Sequence, residues 1–172
     1  MTHSLILHTS RHAVVARMLA ALLACLMAWP AAGDDDVARL SSHRLELGTL
    51  QKLEKALDHM ILAVKRDPTL ARRSSDDSDP SISDLVAYYD SKPAFKAAIA
   101  RAGLSTEEFV VCMLAWVQAS MAEAFTQSMA PAQKAKALSQ SGVPPGNVDF
   151  VSTHKAYLTS VGNKAKALTP AR

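Results

Sequence analysis

Ser105-Thr106-Glu107-Glu108-Phe109-Val110-Val111-Cys112-Met113-Leu114-Ala115-Trp116-Val117 is the stretch that decides the fold. Its first four residues form a capping box: the serine oxygen meets an orphan N–H of the first turn, and Glu108 reaches back to the cap. The residues from Phe109 to Val117 are apolar all round, and Gln118, Ser120 and Glu123 follow them. That run is far short of a membrane span, which takes about 20 apolar residues. A helix apolar on every side belongs at the centre of a bundle. The rest of the chain must then supply helices to surround it.

It supplies them on both sides. Leu50, Leu53, Leu57, Met60, Ile61 and Val64 recur at i, i+3 and i+4 spacing, which predicts an amphipathic helix. That helix ends near Asp67-Pro68, because the residue before proline is pushed out of the helical region. Leu70 to Pro80 reads as a polar loop. Ile82, Leu85, Val86 and Tyr89 predict a short helix with Ser81 as N-cap. Pro93 opens the next one, through Phe95, Ala98, Ile99 and Ala102, and Gly103 closes it at the left-handed C-terminal position. Beyond the central helix, Pro131 and the polar Gln133–Lys136 lead through a short amphipathic piece to the break Ser141-Gly142-Val143-Pro144-Pro145-Gly146. A last helix is expected from about Asn147 to Leu168, with Val148, Val151, Leu158 and Val161 on one face. No alternating strand pattern is present. The predicted fold is all-α, a single bundle of five to six helices over residues 45–168.

The N-terminus has a different character. Arg11 and Arg17 precede an unbroken apolar run from Met18 to Trp29, and Ala31-Ala32-Gly33 offers small residues for cleavage before Asp34-Asp35-Asp36. Residues 1–33 therefore read as a secretory signal peptide, and residues 34–44 as a polar tail before the bundle. The expected location is periplasmic or secreted. Leu22-Leu23-Ala24-Cys25 resembles a lipobox, which gives the alternative of a lipoprotein anchored through Cys25. Leu26-Met27-Ala28-Trp29 continues the apolar run where a lipoprotein would turn polar, so a cysteine inside an ordinary signal core is the simpler reading.

Removing such a leader changes the composition. The whole chain has 19 basic and 16 acidic residues; the leader takes two arginines and no acids, leaving 17 against 16. The apparent basicity goes with it, and with it the electrostatic footprint of nucleic-acid binding. Cys112 remains as the single cysteine, so no intramolecular disulfide is available. Its apolar surroundings make it a small core hydrophobe rather than a nucleophile.

The candidate chemistry is sparse. His154 falls between Val151 and Leu158 on the apolar face of the last helix, where a core-edge histidine is the simplest account. The sharper reading makes it an axial ligand of haem b, with Met60 opposite, as in a b-type four-helix cytochrome. Met60 lies late in its helix for that part. Covalent haem has no Cys-x-x-Cys-His to use. His43 and His59 add little, His59 being expected in solvent, and no two histidines beyond the leader stand at helical spacing for zinc. Asp77, Asp79 and Ser81 start a calcium-loop frame that then puts Ile82 at the glycine turn and Tyr88 at the glutamate position, so it fails. Ser152-Thr153-His154-Lys155 contains Ser-x-x-Lys without the partner motifs of penicillin-recognising enzymes. No nucleophile elbow and no phosphate-binding glycine loop is found.

Asp90-Ser91-Lys92-Pro93-Ala94-Phe95, and Ala102 to Phe109 followed by a long apolar helix, resemble small exported all-helical bacterial proteins of unknown function. That resemblance implies an α-bundle in the periplasm or outside the cell and carries no functional residues. The expected function is non-enzymatic binding of an envelope protein or a small apolar ligand. No nucleic acid is expected as a partner, and a membrane only if Cys25 is lipidated.

Overall fold

The computed structural model describes residues 34–71, 80–166 and 168. Among them the regular elements are helices: α1 Asp34–Ser42, α2 Leu47–Arg66, α3 Ile82–Asp90, α4 Pro93–Arg101, α5 Thr106–Thr126, α6 Pro131–Ser141, α7 Pro145–Thr153 and α8 Lys155–Lys166, with a 3-10 turn, Pro68–Ala71, behind α2. The all-α class is as expected, while the described residues form eight helices rather than five or six. The stretch expected as a signal peptide, its expected cleavage site and Cys25 lie outside the described residues, as does the middle of the loop expected between Leu70 and Pro80.

The larger count has local causes. The stretch expected as a polar tail is helix α1, and the short piece before Gly142 is the full helix α6. Gly142 ends α6 at φ 68°, a backbone conformation that glycine adopts without steric cost. The single last helix is in fact two, meeting at His154, whose backbone leaves the helical region at φ −104°, ψ 22°. Just before the joint, Thr153 Oγ1 donates to the Asp149 carbonyl at 2.8 Å, a back-bond of the kind that bends helices.

Elsewhere the capping signals place the ends. The Ser81 hydroxyl accepts the Asp84 N–H at 3.1 Å while the Asp84 carboxylate accepts the Ser81 N–H at 3.0 Å. Ser105 and Glu108 exchange the same pair at 3.1 and 2.7 Å. Each box satisfies donors that the first turn of a helix leaves open. Pro93 opens α4, and Gly103, at φ 81°, turns the chain out of it.

α5 is the central element. Phe109, Val110, Cys112, Ala115 and Ala119 on it are wholly buried, and it packs against α1, α2, α3, α4, α6 and α7. Burying each large apolar side chain there contributes about 1.5–3 kcal/mol. By length and composition α5 is also apolar enough to cross a membrane, with mean hydropathy 1.5, but half of that window is buried inside the fold. Trp116 lies over Gly162 of α8, where a Cβ would stand 3.7 Å from the indole.

Candidate functional site

α1 has little apolar reason to sit where it does. Leu40 is buried in the core cluster, while Val37 is 49% exposed. Polar contacts do the fastening. Asp36, 8% exposed, accepts the Ile82 N–H at 2.9 Å and so caps α3 from a distant part of the sequence. Arg39 forms an ion pair with Glu107 in the first turn of α5. Beyond α1, the buried side chain of Asn147 spans the link to α2: its Oδ1 accepts the Leu45 N–H at 3.0 Å and its Nδ2 donates to the His43 carbonyl at 2.9 Å. One amide thereby satisfies two backbone groups that would otherwise be costly to bury.

Between α1 and the first turn of α5 these contacts leave a cleft of about 570 Å³, lined by Arg39, Ser42, His43, Ser105, Glu107, Glu108 and Val111. His43 is half-buried in its wall, and its Nε2 atom is shut from water with no hydrogen-bond partner. Burial holds the imidazole below its ordinary pKa, against the opposing pull of Glu46. Glu108 is held below the usual carboxylate range by the Ser105 N–H, then by the Ser105 hydroxyl, with Lys52 adding a smaller pull. Ser42 Oγ donates to the Arg39 carbonyl at 3.0 Å, and Ser105 Oγ is engaged in the capping box. Neither serine is bonded to the imidazole, so the cleft holds no activated nucleophile of the Ser–His kind. What it offers is a charged rim, with an enclosed polar atom behind it.

The residues singled out from the sequence lie elsewhere. Met60 is in the core of α2, 1% exposed. His154 is half-buried at the α7–α8 joint, its ring 4.4 Å from that of Phe150 and tilted by 44°. Neither lines the cleft. His59 is half-buried rather than in solvent. Among the described residues no three His, Cys, Asp or Glu side chains converge to hold a metal. Cys112 is fully buried and its thiol is pushed up to about 12, which leaves it without thiolate at neutral pH.

On the far side, α2 and α8 are joined by a polar network. Tyr157 donates to Glu54 Oε2 at 2.8 Å, and Lys164 Nζ lies 2.8 Å from Glu54 Oε1 and 2.9 Å from Asp58 Oδ1. Burial first, and then the Glu54 carboxylate, push the Tyr157 phenol up to about 12. Sequence reasoning missed the importance of His43, Arg39 and Asn147. Local spacing carries no trace of them, because Asn147 acts across 102 and 104 residues. Compared with protein-family models, curated proteins and solved structures, the chain matches none.

Proposed function

We propose that this chain is an exported, non-enzymatic helical protein that works by binding, with a cell-envelope protein as partner and the α1–α5 cleft as contact site. The observation that carries the reading is the cleft itself: about 570 Å³ of space beside a sheltered, unpartnered imidazole nitrogen and an ion-paired rim. A partner's polar groups would pair with the charged rim and gain from exclusion of water. The other conspicuous polar side chains support the non-enzymatic part. Asn147, Asp36, Ser81 and Glu108 are engaged in holding backbone groups. The basic–apolar–small pattern of residues 1–33 supports export.

The test has two arms. Intact mass of the protein from fractionated cells is expected to correspond to a start at Asp34, outside the cytoplasm; diacylglyceryl on Cys25 would instead make it a lipoprotein, and recovery in the cytoplasm with the leader uncut would overturn export. For binding, a photo-crosslinking residue at Ser42 or Val111 in producing cells is expected to give one discrete adduct with an envelope protein, absent when the probe stands at the exposed Lys65 of α2. Equal adducts from both positions, or none from the cleft, would remove the cleft as the contact site.

A further inference from the structure

The segment from Asp34 to Leu45 lies on the bundle as a strap. Asp36 ties it to α3, Arg39 to α5, and Asn147 to α7. His43 sits between the last two fasteners with its Nε2 enclosed and unpartnered. A neutral imidazole tolerates that position, because one ring nitrogen then lacks only a single hydrogen bond. An imidazolium must donate from both nitrogens, and an enclosed charge with no acceptor is far more costly.

The neighbours do little to relieve such a charge. From α1 comes Arg39, a like charge. From α5 come Glu107, committed to Arg39, and Glu108, committed to Ser105. Glu46 on the link itself attracts, yet burial outweighs it. From α7 comes the neutral amide of Asn147, and Arg44, next to His43 and reaching Gly146 of α7, adds a second like charge. The strap's buried apolar anchorage is two side chains, Leu40 and Leu45, so opening it exposes far less apolar surface than global unfolding does.

We propose that residues 34–45 form a pH-sensitive latch, closed over α5 and α7 while His43 is neutral and lifted when His43 is protonated, which opens the cleft. The sign follows from linkage. With the folded-state pKa depressed, the closed strap has its full stability above about pH 6.5, the ordinary histidine value, and loses it as the pH falls below that. The latch stands whether or not the cleft has a protein partner.

Amide hydrogen exchange of the full chain at pH 7.5 and 5.5, corrected for the intrinsic rate, tests it. The expected result is loss of protection in peptides from 34–45, by up to about tenfold per pH unit, while peptides from Phe109–Ala119 keep theirs. His43→Gln, which cannot titrate, is expected to abolish the pH response. Protection in 34–45 independent of pH in the wild type, an undiminished response in H43Q, or simultaneous loss in α5 would each overturn the latch. Should H43Q fail to fold, the wild-type imidazole resonance of His43 decides: a midpoint below 6.5 that tracks strap opening supports the latch, and one at or above 6.5 overturns it.

Discussion

Two of the long-range polar attachments in this bundle differ in kind. The α1–α2 link is held to α7 by one neutral, buried amide, 2% exposed, whose two ends meet two backbone groups. α2 is held to α8 by Glu54, Lys164, Asp58 and Tyr157, charged or polar groups within reach of water. The buried amide gains little over water for each bond it makes, but its loss would strand backbone groups in the interior. The ion network gains little and strands little, because solvent can replace each partner. Strength of charge is therefore a poor guide to which attachment matters more here.

Asn147→Ala gives the sharpest break in that comparison. Stranding the Leu45 N–H and the His43 carbonyl is expected to cost about 2–4 kcal/mol in urea unfolding. Asp36→Ala leaves the Ile82 N–H open at the start of α3 and is expected to cost about 1–2 kcal/mol. Glu54→Gln, on the ionic side, should stay within about 1 kcal/mol. If E54Q proved as damaging as N147A, the distinction between the two attachments would fail.

Acid and base sharpen it further. Glu54 is held below its ordinary pKa, chiefly by its hydrogen bond from Lys164, so its contribution is present above the ordinary carboxylate range and lost as the pH falls through the depressed value. Lys164 is raised, chiefly by Glu54, so its contribution is present below the ordinary lysine range and lost as the pH rises through the raised value. Thermal melts of wild type and E54Q should accordingly differ at neutral pH and converge in strong acid. The smallest expected effect is spectroscopic. Adding haem b to the purified protein should leave the broad Soret absorption of free haem unchanged, given that Met60 is enclosed in the core; a sharpened, shifted band abolished by His154→Ala would reinstate the axial-ligand reading.

What the sequence made legible was whatever depends on near neighbours. The N-cap at Ser81, the capping box at Ser105, the proline at the start of α4, the glycine after it and the apolar run of α5 all act within a few residues, and each stands where expected. α1 escaped because Asp34-Asp35-Asp36-Val37-Ala38-Arg39-Leu40-Ser41-Ser42 has no continuous apolar face; its place depends on Asp36, Arg39 and Leu40 meeting residues far along the chain. The joint at His154 escaped for the opposite reason. It has neither glycine nor proline, and the bend coincides with a threonine back-bond invisible in the hydrophobic period. The cleft combines the two difficulties, since its lining comes from residues 39–43 and 105–111.

The seating of Trp116 on Gly162 has a practical side. The chain has two tryptophans, and Trp29 belongs to the stretch read as a leader. A protein beginning at Asp34 would carry a single indole, fixed where α5 meets α8. Its fluorescence would then be a private optical reporter for that seam, and quenching it would register loosening there without any dye or label.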